Sequence, residues 1–214
     1  MASSTDGIWV GRLLRANVTA FVLGCRVGDT DQVSFGGLVR VDCRRNAPSI
    51  FGLVYDVAVA DDLMVKQLAI SGGLTETQRQ DQLERRQVPI EMSVLAVGFR
   101  DQDGHIHRRI PPQPPLNLDR VVASPPAEVH EFTQSLDYFR LVLRQPLQEM
   151  PVEQLMVAHI AQAHAARGGD DDWVLQAAQE LIAQLRDDHA TLLPLLEALR
   201  EAIPDLKAGV PGGL

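Results

Sequence analysis

The sequence predicts an α+β protein: a small closed β-barrel of about six strands, followed by a helical region. Three observations predict it. The first half is filled with short alternations of apolar and polar residues punctuated by glycine. Gly11-Arg12, Phe35-Gly36-Gly37-Leu38-Val39-Arg40-Val41 and Ile50-Phe51-Gly52-Leu53-Val54-Tyr55-Asp56-Val57 are the clearest. A glycine inside a strand marks the bends and bulges of a tightly curved sheet. From Pro126 onwards the apolar period lengthens to that of a helix. Between the two halves lies Ile110-Pro111-Pro112-Gln113-Pro114-Pro115-Leu116, where each proline fixes φ and pushes its predecessor out of the helical region.

The strand candidates are residues 8–15, 18–23, 37–43, 50–60, 90–100 and 105–110. Asp101-Gln102-Asp103-Gly104 is a hairpin signal, with Asp103-Gly104 supplying the positive φ of a tight turn. The barrel is placed at residues 7–124, with a polar insertion at 63–87 that contains Gly72-Gly73. Thr75 with Gln78 three residues on has the form of a capping box, so either a short exposed helix or a loop fits there. The proline segment is read as a stiff strap leaving the barrel, with a polyproline ligand as the lesser alternative.

An acidic helical domain is placed at 125–207 and a frayed tail at 208–214. One or two turns are expected over 127–132. Ser135 reads as the N-cap of a helix over 136–144, ended by Pro146. Pro151 suits the first turn of the next helix, which should run to Arg167 before Gly168-Gly169. Asp170-Asp171-Asp172 opens the last one, where carboxylates favour the positive end of the helix dipole. A stripe of Leu175, Ala178, Ile182, Leu185, His189, Leu192, Leu196, Leu199 and Ile203 runs along it at spacings of three and four. Pro194 predicts a kink or restart between residues 188 and 191, with Thr191 as the cap and His189 either facing the kink or, as the lesser alternative, buried as a polar residue that sets register. The stripe is expected to pack locally, an intermolecular contact being the alternative.

The chain has 214 residues, 45% hydrophobic and 22% charged, and a net charge of -8. That composition is ordinary for a globular protein able to bury a core. The first 120 residues carry 14 Lys+Arg and 14 Asp+Glu, whereas residues 121–214 carry 6 against 14. The acidic excess disfavours strong phosphate binding, which needs clustered cations. No basic segment or apolar run at the start reads as a secretory signal, and no run is long enough to span a bilayer, so a cytoplasmic location without membrane contact is expected. Cys25 and Cys43 lack CxxC partners and are read as reduced thiols.

Several residue pairs invite chemistry. His105 and His107 lie two apart on a strand and share a face, as two metal ligands or as two surface histidines beside Arg108 and Arg109. No third ligand follows at a telling spacing. His159 and His164 lie five apart, which misaligns them on a helix. Ser49, Ser71, Ser93 and Ser124 lack a G-x-S-x-G context. No metal, cofactor or catalytic residue is therefore expected.

With these motifs in order, residues 7–132 resemble the HAS-barrel, the β-barrel domain shared by HerA-type hexameric translocases and the head subunits of rotary ATP synthases. Ile8-Trp9-Val10-Gly11-Arg12-Leu13, Gly36-Gly37-Leu38-Val39-Arg40-Val41 and Gly52-Leu53-Val54-Tyr55-Asp56-Val57 carry the first three elements. Val97-Gly98-Phe99-Arg100-Asp101-Gln102-Asp103-Gly104 and Pro111-Pro112-Gln113-Pro114-Pro115 resemble the late hairpin and the proline strap of the HerA-type barrels. The resemblance implies a collar or docking element that, in that family, precedes an ATP-hydrolysing motor and contacts a partner nuclease. The motor has no counterpart here, because no G-x-x-x-x-G-K-[ST] occurs in the 214 residues to cradle phosphates.

The expected function is thus a non-catalytic adaptor that docks on a ring ATPase of the HerA-like class or on its nuclease partner. The expected contact residues are Arg79, Arg85 and Arg86 of the insertion, Arg100, His105, His107, Arg108 and Arg109 around the hairpin, and Leu192 and Leu196 of the last helix. Two alternatives stand beside it. In one, Arg12, Arg15, Arg40, Arg44, Arg45, Arg100, Arg108 and Arg109 track a nucleic-acid backbone, directly but weakly or through a partner. In the other, the barrels assemble into a homo-oligomeric ring.

Overall fold

The computed structural model describes residues 7–26, 32–43, 47–59, 89–145 and 152–204. The expected insertion at 63–87, with Arg79, Arg85 and Arg86, and the expected tail at 208–214 lie outside the described residues. The strands are β1 (Ile8–Ala16), β2 (Ala20–Arg26), β3 (Leu38–Asp42), β4 (Ser49–Val59), β5 (Pro89–Arg100), β6 (Ile106–His107) and β7 (Arg120–Ala123). The helices are α1 (Pro126–Phe132), α2 (Phe139–Leu143), α3 (Val152–Ala166), α4 (Asp171–Leu185) and α5 (His189–Ala202). No described helix is long and apolar enough to cross a membrane.

All strand pairs are antiparallel, in the order β2-β1-β7-β3-β4-β5-β6, and pairing of β2 with β5 closes the barrel. Six strands form the closed ring, as expected, but the sixth is not the segment the sequence pointed to. Of residues 105–110 only Ile106 and His107 pair, outside the ring, with Phe99 and Arg100. The ring is completed by β7, whose four residues pair with β1 on one side and β3 on the other. Val121 and Val122 are both fully buried, so this strand shows no alternation to read.

The glycine signals do mark irregular sheet. The register shifts between Trp9 and Gly11 and between Phe51 and Gly52, where an extra residue re-aims the strand. Inside the barrel Val10, Leu13, Phe21, Leu23, Val39, Val41, Ile50, Val54, Met92, Val94 and Val121 form one core. The opposite faces of β3, β4 and β5 carry Leu38, Phe51, Leu53, Leu95 and Val97, and onto these the helices pack through Phe132, Tyr138, Phe139, Leu155, Ile160 and Trp173. Each such buried side chain stabilises by about 1.5–3 kcal/mol, which is what fixes the helical region to the barrel. Phe132 meets Phe51 at 4.9 Å and Tyr138 at 5.0 Å, both tilted as ring quadrupoles prefer. Gly98 makes that approach possible, since a Cβ there would lie 2.9 Å from the Phe132 ring.

The last two helices correct the expected seam. Asp188 breaks the chain between them, accepting hydrogen bonds from the Thr191 N–H at 3.2 Å and hydroxyl at 2.7 Å, so Asp188 is the cap and Thr191 its partner. Each helix then turns its own face inward. α4 buries Trp173, Val174, Ala177 and Leu181, a face rotated by about 100° from the expected stripe at 3.6 residues per turn. Ile182 is 45% exposed and His189 lies in solvent. The rotation follows from Trp173, whose indole N–H donates to the Thr133 carbonyl at 2.9 Å. In α5 Leu192, Leu195, Leu199 and the following Ile203 are buried, and Leu196 is half-buried. Leu192, one of the expected partner contacts, is buried in the core. Pro194 sits in the second turn of α5 and does not end it. Likewise Ser135 is not the cap of α2: it bonds the Asp137 carboxylate, and α2 begins after Tyr138 without a side-chain cap.

Candidate functional site

The hairpin between β5 and β6 is built around one carboxylate. Asp101 Oδ1 accepts from the backbone N–H groups of Asp103 at 3.0 Å and His105 at 2.9 Å, and Oδ2 pairs with His107 Nε2 at 2.7 Å. The His107 bond first, then the His105 N–H, hold the Asp101 carboxyl below its ordinary value. Gly104 completes the turn at φ +88°. His107 stacks on Phe99 at 4.7 Å, and the Arg109 guanidinium lies 5.6 Å from the same ring. The expected turn is present, and its side chains are held from below by an aromatic from the barrel.

Arg108 ties the hairpin to the helices. Its Nε donates to the Phe132 carbonyl at 2.7 Å and Nη2 to the Glu131 carbonyl at 3.0 Å, with the guanidinium over the Phe132 ring. These carbonyls end α1, where a helix leaves acceptors unpaired and welcomes positive charge. Arg167 does the same from the other side, donating to the His130 carbonyl and the Thr133 hydroxyl while pairing with Asp170 at 2.8 Å. Burial lowers the Arg108 pKa, opposed by Tyr138, Asp137 and Glu131 nearby.

Beside the hairpin a second cluster joins β3, β5 and α1. Arg100 grips the Glu131 carboxylate with two bonds, at 3.2 and 2.9 Å, and reaches Glu128 Oε1 at 3.3 Å. Arg40 also donates to Glu128 Oε1 and bonds Asp42 at 2.8 Å. Burial alone would lower the Arg40 pKa, but the bonds to Asp42 and Glu128 outweigh it and raise the value. Glu128 is 5% exposed, and its second oxygen is buried without a partner.

Among the expected contact residues, the structure brings Arg100, His105, His107, Arg108 and Arg109 onto one side of the barrel. Their availability differs. Arg100 and Arg108 are engaged in the fold, His107 is half-buried, and His105 and Arg109 are exposed. Leu192 is buried and Leu196 half-buried. Arg140 of α2, which the sequence reading did not single out, joins His107, Arg108, Arg109, Ile106 and Asp137 around a cleft of about 470 Å³. The ligand atoms of Asp101, Asp103 and His105 lie within 4.8 Å of one another, an exposed group that differs from the His105–His107 pair considered above.

The remaining candidates from the sequence have structural partners. His159 is fully buried: Tyr138 O–H donates to Nε2 at 2.7 Å, and Nδ1–H donates to the Gly36 carbonyl at 3.0 Å. That tautomer is required because a carbonyl only accepts. Burial lowers the His159 pKa to about 4 and raises that of the Tyr138 hydroxyl. His164 turns elsewhere, to Asp171 at 3.1 Å. Cys25 and Cys43 form no disulfide. Burial first, then the charges of Asp119 and Asp42, push Cys43 up to about 12, far from a nucleophile's range. No known protein family matches this sequence. No curated protein matches it either.

Proposed function

We propose that this chain is a non-catalytic docking module, a barrel buttressed by helices whose Asp101–Arg109 hairpin meets a protein partner. A ring ATPase of the HerA-like class, or its nuclease partner, is the candidate that the resemblance of residues 7–132 brings forward. The observation that carries the reading is a preorganised rim. Asp101, Phe99 and the α1 carbonyls hold His107, Arg108 and Arg109 in place before any partner arrives. Binding then costs less side-chain ordering than a mobile surface would demand. Chemistry has no comparable support. The most perturbed side chains among those described, His159, Tyr138 and Cys43, are buried against structural partners or held protonated.

The test is co-purification of tagged chain from its native cell at moderate salt, beside a variant whose hairpin carries His105→Ala and Arg109→Ala. A ring ATPase or nuclease recovered with the unaltered chain and lost with the variant supports the reading. The chain purified alone overturns it, and rings of this chain alone in light scattering would put self-assembly in its place.

A further inference from the structure

The cleft between the hairpin and α2 has an uneven charge. Arg108, Arg109 and Arg140 line it against one carboxylate, Asp137. Of the acids bonded to its neighbours, Asp101 is committed to His107 and the hairpin backbone, and Glu131 gives both carboxylate oxygens to Arg100 and its carbonyl to Arg108. Most arginines that the fold engages by ion pairs lie elsewhere, as Arg40, Arg100 and Arg167 do. Arg109 and Arg140 are exposed, and neither pairs with a carboxylate among the described residues. Arg109 is nevertheless steered, its guanidinium held over the Phe99 ring.

We infer that this cleft is an anion-recognition site that takes an acidic segment of the partner protein. The inference rests on the docking reading above and names the chemistry of what docks. A guanidinium offers a planar fork that matches a carboxylate with two parallel bonds, and two unpaired forks facing one cleft suit two acidic side chains in sequence. The net charge of -8 does not cancel this attraction locally, because charges beyond about 8 Å are largely screened at physiological salt. It does disfavour nucleic acid, whose long array of phosphates would have to cross the acidic surface with few counterions to release. The fixed Arg108 supplies the standing positive potential, since its Nε and Nη2 donors are already committed to α1. Arg109 and Arg140 supply the contacts.

The probe is a hexaglutamate peptide titrated into the full chain and followed by backbone amide shifts, with a ten-nucleotide oligothymidine and a hexalysine peptide in parallel. The expected result is saturable shifts confined to residues around Arg108, Arg109, Asp137 and Arg140, weakening as salt rises. In the double variant Arg109→Gln, Arg140→Gln the affinity should fall about tenfold, as expected when exposed contact charges are removed. Both positions are exposed, so the variant keeps its amide spectrum elsewhere. Absent or scattered shifts, binding equal in the variant, or tighter binding of the oligonucleotide at this cleft would each overturn the inference. The docking reading fails separately: a variant that loses the peptide but still recovers the native partner refutes the acidic segment alone.

Discussion

His159 makes the most quantitative prediction, because a fully buried imidazole with both nitrogens bonded cannot take a proton without breaking a contact. Its folded pKa is lowered to about 4 by burial, against about 6.5 in the unfolded chain. A depressed value means that the unfolded state binds the proton first. The stability from neutral His159 is therefore complete above pH 7 and is lost as pH falls from 6.5 towards 4. At 1.36 kcal/mol per unit, the loss between pH 7 and pH 5 is about 2 kcal/mol, and below pH 4 about 3 kcal/mol. The perturbation is pH combined with His159→Gln, whose amide can still accept from Tyr138 and donate to Gly36 but does not titrate. Urea unfolding followed by fluorescence of the buried Trp173 should show the unaltered chain losing about 2 kcal/mol more than the variant from pH 7 to pH 5. The comparison cancels the carboxylates, which titrate alike in both. Parallel pH profiles would refute the reasoning, showing that water reaches His159 or that the Tyr138 bond is not made.

Two further outcomes follow from buried groups. Glu128→Ala should cost about 2 kcal/mol in urea unfolding, because Arg40, with its side chain 11% exposed, loses its buried carboxylate and keeps only Asp42; a change under half that would show the pair to be hydrated. Native Cys43 should react with iodoacetamide at pH 8 roughly a thousandfold more slowly than in urea, since a pKa near 12 leaves little thiolate; comparable rates, read by mass spectrometry, would sink the assignment.

The strands that were legible are those with a face to alternate or a glycine to bend. β1, β4 and β5 lie within a residue or two of their expected limits. β7 was not legible, because Arg120–Ala123 is four residues long, follows a proline strap and is buried on both sides by pairing with β1 and β3. That pairing is long-range and leaves no local trace. The hairpin was announced by Asp103-Gly104, yet its role in clamping α1 was not, since nothing near Arg108 says that Phe132 and Glu131 offer it their carbonyls. Arg140 was missed for a similar reason: a polar residue on a five-residue helix gives no sign of what it faces. Glu128 carried a partial signal. It stands in the first turn of α1, where an acid favours the helix dipole, but its bridge between Arg40 and Arg100 joins residues 88 and 28 positions away and leaves no local trace.

These clamps make the rim and the helical region one mechanical unit. Phe51, Leu53, Leu95 and Val97 of the barrel are covered from the helical side by Phe132, Tyr138 and the residues packed behind them. The barrel without its helices would expose a contiguous apolar face, the kind of surface that soluble monomers avoid. The dependence runs the other way as well. α1 ends in carbonyls that Arg108 reaches from the hairpin and Arg167 from the α3–α4 corner, so a shift of either element is felt at the other through one short helix. A docking surface on the hairpin therefore inherits its rigidity from α3 and α4. Substitutions at that corner, far from the rim, should loosen partner binding by loosening Arg108, with no contact to the partner themselves.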